Sequence, residues 1–158
     1  ETLPQALALI DRPFAVRHQC GRNNEKATQA AYDDQDLRIH QISVQPFIDD
    51  MAAAYNWADV IVCRSGALTV TEIQNVGIAA IFVPLPSAVD DHQTANARTL
   101  TLHDAGVLLP QSELTPKRLS AELTKLDRLS CLKMAKLGHA LANRHASQQV
   151  ADIIWQTL

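Results

Sequence analysis

Short apolar runs that alternate with segments of helical spacing constrain the fold of this 158-residue chain most. The runs Val60–Val62, Ala79–Val83 and Val107–Leu109 are typical of buried strands. Strands that alternate with helices require a parallel sheet that is covered by helices on both faces. The sequence therefore predicts an α/β fold, and a 47% apolar, 20% charged composition fits one globular domain.

The other predicted elements follow the same order. Two more strands are predicted at 14–19 and 37–44, the second ending before Pro46 because proline has no N–H to donate to a neighbouring strand. Thr115-Pro116 is a typical helix start, with a hydroxyl at the N-cap and proline at N1. The predicted helices are 2–11, 24–32, one opening at 49–51, one closed by Gly77, one from 92 to about 104, one from Thr115, 128–142 and 146–157.

The charge is uneven along the chain. Residues 1–115 carry 7 basic and 14 acidic side chains, whereas residues 116–158 carry 7 basic and 3 acidic ones. The basic part contains four leucines near helical spacing: Leu126, Leu129, Leu132 and Leu137. A membrane-surface helix is one interpretation. A stripe that faces the core beneath a solvated basic face is the favoured one.

The lengths of the apolar runs and the spacing of the cysteines argue against a membrane span, a disulfide framework and a metal site. No apolar run approaches the roughly 20 residues that a membrane helix needs. The three cysteines lie far apart without a CxxC pair, which favours a reducing compartment over a disulfide framework. His18 and Cys20 are two residues apart, but no second pair has ligand spacing, so we expect no metal site. The chain also begins within a helical pattern, and we expect it to be a fragment of a longer polypeptide.

An anion site is predicted at Cys63–Glu72, which follows the strand at Val60. A tight Ser65-Gly66 turn from strand to helix points free backbone N–H groups and the positive end of the helix dipole at one place. Such a place favours a phosphate. Glu72 is far enough along to accept hydrogen bonds from a ribose diol beside that phosphate.

Three segments are predicted to share one edge of the sheet, since ligands in such folds lie beyond the carboxyl ends of the strands. They are Phe47-Ile48, Ser65–Glu72 and His92-Gln93. The ordinary alternative is that all three are merely loops of an α/β domain, and two of the residues have alternatives of their own. The pattern Thr69-x-x-Glu72 also matches a capping box, and Gln93 could be a solvated residue of the first helical turn.

Two further side chains have competing interpretations. Arg64 could neutralise a phosphate or pair with Asp59. His92 could act as a general base, although a polar residue at a helix N-terminus is the commoner explanation.

These segments together resemble the donor-binding half of the MurG family of N-acetylglucosaminyltransferases, and the similarity spans essentially the whole chain. The residues that carry it are Pro46–Met51, Ala58-Asp59, Cys63–Glu72 and Asp91–Ala97, with looser matches at His18-Gln19 and Ala146–Ile154. The resemblance implies residues 1–158 to be the UDP-sugar-binding C-terminal domain of a GT-B glycosyltransferase, a Rossmann-like parallel sheet with flanking helices.

The resemblance also implies a role for each site residue. The Ile48 backbone would bind the uracil, Glu72 the ribose hydroxyls and Gln93 the N-acetylglucosamine hydroxyls. The diphosphate would lie at the helix N-terminus, against Ala67, Leu68, Thr69, Val70 and Thr71. It implies no metal, no cofactor and no catalytic residue in this chain.

The implied reaction is transfer of N-acetylglucosamine, with inversion, from UDP-N-acetylglucosamine to lipid I, which forms lipid II for peptidoglycan. The implied partners are this donor, lipid I through an absent N-terminal domain, and the cytoplasmic side of the bacterial inner membrane, with no nucleic acid. The alternatives are another UDP-sugar GT-B enzyme, such as a glycolipid glycosyltransferase or a UDP-sugar epimerase, and a non-catalytic α/β binding module.

Two departures from the family pattern matter. The family's first strand and Gly-rich loop are missing, and so is its acceptor domain with the expected general base. Ala79, where proline is usual, is a smaller departure that weakens nothing about the site. Because the first strand of a doubly wound sheet is central, we expect this chain alone to be inactive. We also expect the terminal helix, about 146–157, to be partly exposed here and to pack back on the absent domain.

Overall fold

A computed structural model describes residues 2–86, 91–143 and 145–156. These residues form two compact units. Unit 1 comprises residues up to 58 together with 110–130, and unit 2 comprises 59–109 together with the residues from 131 onward. The strands pair into two parallel sheets, one in each unit, with helices between successive strands. The predicted α/β class with parallel strands is confirmed.

Unit 1 contains a two-stranded parallel sheet. Strand β1 (Ala15–Gln19) pairs with β2 (Gln41–Gln45), and Gln19 lies opposite Gln45. The helices of the unit are α1 (Thr2–Leu7), α2 (Glu25–Asp33), α3 (Met51–Trp57) and α6 (Pro116–Lys125), with a 3₁₀ turn at Gln111–Glu113. Helix α6 begins as predicted, since the Thr115 hydroxyl accepts a hydrogen bond from the Arg118 N–H at 3.1 Å.

The predicted strand at 37–44 begins four residues too early. A turn occupies its first part, closed by a 2.8 Å bond from the His40 N–H to the Leu37 carbonyl. The His40 ring then bonds to two distant backbone groups, accepting from the Phe14 N–H at 3.1 Å and lying 3.1 Å from the Leu7 carbonyl. These long-range contacts hold the turn in place of extended backbone.

The predicted helix at 2–11 is also too long, because α1 ends at Leu7. Backbone turns follow it, with the Ile10 N–H bonded to the Leu7 carbonyl at 3.0 Å. Arg12 then donates to the Leu123 and Leu126 carbonyls at 2.6 and 2.8 Å, at the end of α6. The segment therefore leaves the helix to close the C-terminus of a different one.

Unit 2 contains a three-stranded parallel sheet in the order β3-β4-β5. The elements assigned to it are β3 (Val60–Cys63), α4 (Ala67–Val76), β4 (Ala79–Phe82), α5 (His92–Thr101), β5 (Val107–Leu108), most of α7 (Arg128–Ala140), and α8 (Ala146–Gln156). Every residue of β4 is buried. Phe82 on this strand is fully buried, as are Leu100 and Leu109 of the same unit, so the core of the unit lies around the central strand.

The ends of two unit 2 elements differ from the predictions. Helix α5 stops at Thr101 rather than near Asp104, which has φ of 56° and begins the approach to β5. Strand β5 has two residues instead of the three predicted. Gly106 precedes it directly under the Phe82 ring, where a Cβ atom would come within 2.8 Å of that ring. Close packing on β4 therefore fixes this connection.

Helices α7 and α8 leave apolar side chains exposed. Leu129 is 77% and Leu132 is 49% exposed on α7, so the interpretation of the leucines as one core-facing stripe is wrong for these two. On α8, Val150, Ile153, Ile154 and Trp155 are all more than half exposed. The expectation that the terminal helix is partly exposed holds in this structure, and what it packs against stays a prediction.

Candidate functional site

The N-terminus of α4 is open, as the predicted anion site requires. Gly66 is the N-cap residue, in extended conformation, and no side chain of the described residues caps the helix there. The first acceptor inside the helix is the Gly66 carbonyl, which takes the Val70 N–H at 3.0 Å. The N–H groups of Ala67, Leu68 and Thr69 precede it and have no carbonyl within the helix to bond. They lie at the positive end of a ten-residue helix.

The predicted diphosphate segment divides into two parts. Ala67 and Leu68 are exposed and Thr69 is half-buried, whereas the Val70 side chain is buried among the core residues. The Thr71 hydroxyl donates to the Ala67 carbonyl at 2.9 Å. The structure therefore concentrates the open backbone donors on the first three residues of α4.

Glu72 lies inside α4 rather than at its start. A capping box would need Thr69 at the N-cap, but the helix begins two residues earlier and Gly66 is its cap. The capping-box interpretation of Glu72 is therefore wrong. The carboxylate is exposed, and it lies on the helix whose N-terminus would hold the anion.

Ser65 connects the two predicted segments of unit 2. Its side chain is fully buried, and its hydroxyl donates to the Gln93 carbonyl at 2.8 Å. The Asn96 side chain donates in return to the Ser65 carbonyl at 3.1 Å. These two bonds join the turn before α4 to the first turn of α5. The structure thus brings Ser65–Glu72 and Gln93 together, and sequence reasoning missed that Ser65 is the link.

The Gln93 side chain is already oriented in this structure. Its Oε1 accepts the Leu85 N–H at 3.0 Å. Gln93 is a residue of the first turn of α5, as the alternative interpretation has it, but it is half-buried and its side chain is held by the protein. With the amide oxygen engaged, the Nε2 group with its two N–H donors is what the residue offers to a ligand. Donors of this kind suit the oxygens of sugar hydroxyls.

Arg64 supports the loop that follows β4. Its guanidinium donates to the Val83 and Pro84 carbonyls, each at 3.0 Å. The predicted pairing with Asp59 is not among the ion pairs of the described residues. Arg64 therefore holds the backbone that leads towards α5.

Ile48 belongs to unit 1, and its backbone N–H is engaged. It donates to the Gln19 Oε1 atom at 3.0 Å, across the carboxyl ends of β1 and β2. The group that Ile48 retains for a ligand is therefore its carbonyl. No role in the site was predicted for Gln19 from the sequence. Its position at the carboxyl end of a predicted parallel strand could have indicated a contact with the Ile48 loop, which follows the neighbouring strand.

Burial shifts the pKa values of three side chains. His18 Nδ1 lies 2.9 Å from the Tyr32 hydroxyl. Burial lowers the pKa of His18 and raises the pKa of Tyr32. Burial also raises the pKa of the Cys63 thiol to about 12, so this cysteine beside the turn is protonated and a poor nucleophile. Within 2–86, 91–143 and 145–156, no group of three His, Cys, Asp or Glu side chains could hold a metal ion.

Comparison with known proteins places the chain among glycosyltransferases. Residues 1–154 match the model of the glycosyltransferase family 28 C-terminal domain. The chain is 81% identical over its whole length to a UDP-N-acetylglucosamine--N-acetylmuramyl-(pentapeptide) pyrophosphoryl-undecaprenol N-acetylglucosamine transferase of Psychrobacter cryohalolentis. It is 50% identical over 157 residues to the protein of the same name from Marinobacter nauticus. The chain spans 44% and 42% of these two relatives.

Two solved structures of glycosyltransferases are also similar to the chain. The crystal structure of Acinetobacter baumannii MurG matches 99% of this chain with a TM-score of 0.93 and 47% identity, over 45% of its own length. A glycotransferase of kitacinnamycin matches with a TM-score of 0.64 at 21% identity, which is a likeness of fold alone.

Proposed function

The chain belongs to the family of glycosyltransferase family 28 C-terminal domains, and from this membership we propose that it binds the nucleotide-sugar donor of a GT-B enzyme. The donor is UDP-N-acetylglucosamine, and the enzyme transfers its sugar with inversion to lipid I, forming lipid II. The observation that carries the proposal is the Ser65–Gln93 bond at 2.8 Å. It holds an anion-binding helix terminus and a sugar-binding amide in one unit.

Each part of the donor has a group of matching chemistry. The diphosphate lies at the N-terminus of α4, where the N–H groups of Ala67, Leu68 and Thr69 donate to its oxygens. The Glu72 carboxylate accepts from the ribose hydroxyls, and charge makes such bonds stronger than neutral ones. The Gln93 Nε2 group donates to the sugar hydroxyls. The Ile48 carbonyl accepts from the uracil N3–H.

The helix terminus has a catalytic use as well as a binding one. When the glycosidic bond breaks, negative charge develops on the departing diphosphate. Backbone donors that are oriented before the reaction stabilise that charge without reorganisation. Because backbone donors can stabilise the departing diphosphate, the proposal includes that the transfer needs no metal and no other cofactor.

The acceptor and the general base belong, in this proposal, to another domain of the longer relatives. The length of the relatives supports this arrangement, since the chain spans 44% and 42% of two of them. The exposed apolar side chains of α8 supply a surface for that domain. The whole enzyme would act on lipid I at the cytoplasmic side of the inner membrane, as a peripheral protein. Among the described residues, no helix is both long and apolar enough to span a membrane.

Calorimetry of the full-length protein with UDP and with UDP-N-acetylglucosamine tests the proposal. Glu72→Ala removes the acceptor for the ribose diol. Hydrogen bonds to charged groups contribute about 1.5–3 kcal/mol, so we expect the affinity for UDP to fall about 10- to 150-fold. Glu25→Ala, which removes an exposed carboxylate from α2, is the matched control and should leave the affinity unchanged.

The same titrations, with UDP-glucose as a third ligand, separate the alternatives. A non-catalytic module would bind neither ligand. Another UDP-sugar enzyme would lose UDP affinity with Glu72→Ala but would not prefer UDP-N-acetylglucosamine over UDP-glucose. Unchanged UDP affinity in Glu72→Ala would remove the ribose role from this carboxylate.

A further inference from the structure

One side of α7 is exposed and combines leucines with cations. Its members, here named the α7 outer face, are Arg128, Leu129, Leu132, Lys133 and Lys136. At 3.6 residues per turn they cover an arc of about 140°. The helix buries its other side, where Cys131 is 5% exposed and Gly138 lies against Leu100 and Ala105. The outer face is therefore one continuous surface on a packed helix.

The electrostatic character of this face is uniformly positive. Helix α7 contains three Lys or Arg residues and no Asp or Glu. In the described part of the chain, the ion pairs of the basic region join Arg118 and Lys125 to Glu122, and none involves a cation of α7. The whole chain carries a formal charge of −3, so the charge of this face is opposite in sign to the net charge of the chain.

The apolar residues of the face are unusually accessible. Leu129 is 77% exposed and Leu132 is 49% exposed, with Lys133 next to Leu132 in the chain. The centres of protein interfaces are depleted of lysine. Leucines interleaved with lysine and arginine are typical of helices that lie in the headgroup region of a membrane. Charge and composition together favour a lipid surface over a protein partner.

We propose that the α7 outer face docks on an anionic membrane surface, with its leucines entering the headgroup region and its cations paired with lipid phosphates. The inference rests on the proposed function, because a lipid-linked acceptor requires the enzyme to work at a membrane. It adds that the donor-binding domain itself contacts the lipid. Each cation near an anionic surface contributes about 1 kcal/mol, or about a fivefold change in partitioning.

Vesicle co-sedimentation of the full-length protein tests the docking. The probes are vesicles of phosphatidylglycerol mixed with phosphatidylcholine, and vesicles of phosphatidylcholine alone. The double variant Lys133→Gln/Lys136→Gln should bind the anionic vesicles about 25-fold more weakly than the wild type. The control Lys26→Gln/Lys117→Gln removes two exposed lysines outside α7 and should change binding less than about twofold.

A second variant tests the leucines. Leu129→Ser/Leu132→Ser should also weaken binding to anionic vesicles and leave the unfolding midpoint unchanged, because both side chains are exposed. Wild-type vesicle binding by either α7 variant would overturn the proposal, as would an equal loss in the lysine control. A change in the sedimentation coefficient of the protein without vesicles, with vesicle binding intact, would overturn the proposal and assign the face to a protein partner.

Donor binding is measured separately, without vesicles. All of these variants should keep the wild-type affinity for UDP-N-acetylglucosamine, since none alters a residue of the donor site. Absence of donor binding by the wild type would refute the proposed function, whereas the vesicle assay alone decides whether the α7 outer face contacts lipid.

Discussion

Ser65→Ala is the substitution that most directly tests how the donor site is built. It removes a hydroxyl that is fully buried and that donates to the Gln93 carbonyl at 2.8 Å. Leaving a buried acceptor without a donor costs about 1–3 kcal/mol. Because Gln93 is half-buried, water can partly replace the lost donor. We therefore expect the free energy of unfolding to fall by about 1–2 kcal/mol.

The effect on binding should be selective for the sugar. The substitution releases the first turn of α5, which carries Gln93, and leaves Glu72 in place on α4. A neutral hydrogen bond contributes about 0.5–1.5 kcal/mol, so we expect affinity for UDP-N-acetylglucosamine to fall about two- to tenfold. Affinity for UDP should change less than about twofold.

Urea denaturation and calorimetry of the full-length protein measure the two effects. Ser120→Ala is the matched control, since Ser120 belongs to unit 1, is 7% exposed, and donates its hydroxyl to the Lys117 carbonyl on α6 at 3.0 Å. The control should lose stability without losing sugar affinity. If Ser65→Ala keeps the wild-type ratio of UDP-N-acetylglucosamine to UDP affinity, Ser65 does not position Gln93 and the reasoning is refuted.

Two other predictions concern stability. Gly77→Ala should destabilise the fold by about 1–3 kcal/mol in urea denaturation, because φ is 72° and the new Cβ would lie 3.1 Å from the His139 Cβ. Gly66→Ala should cost under about 1 kcal/mol, because φ is −60° and the new Cβ would lie at an ordinary contact distance, 4.0 Å, from Thr69 Oγ1. Equal losses in the two variants would contradict the strain argument. Burial lowers the pKa of His18 from 6.5, so the folded state binds fewer protons than the unfolded state and stability should fall as the pH drops below about 6.5. His18→Gln should flatten that part of the stability–pH curve, and an unchanged slope would assign it to other groups.

Local signals predicted much of the fold. Thr115-Pro116 starts α6, and Gly77, in left-handed conformation, ends α4, because each residue type has a backbone role of its own there. The predicted start of the strand at 37–44 was wrong because the His40 ring bonds to the backbone of Phe14 and Leu7, which holds this part as a turn. Such contacts depend on the tertiary fold, and a local alternation of apolar residues carries no record of them.

For the candidate site, the sequence predicted the backbone geometry at the start of α4 but not the hydrogen bonds that connect its segments, and the roles of its residues stay predictions. The pattern of a strand, a Ser65-Gly66 turn and a helix start predicted the N-terminus of α4. It also indicated that Glu72 lies within this helix. The bond from Ser65 to Gln93 joins residues 28 positions apart, and a serine in a turn has many possible acceptors. The exposure of Leu129 was missed for a related reason, since helical spacing defines a stripe but not the side that packs.

The edges of the two sheets have a practical consequence for anyone who produces this chain by itself. Strand β4 is buried throughout, whereas β1 and β3 each lie at the edge of a sheet, and Val62 on β3 is 37% exposed. Among the described residues no further strand pairs with those edges. An open strand edge is a template for pairing with another copy. At high concentration the separate chain is therefore expected to aggregate by adding strands from neighbouring copies, even where its own helices remain folded.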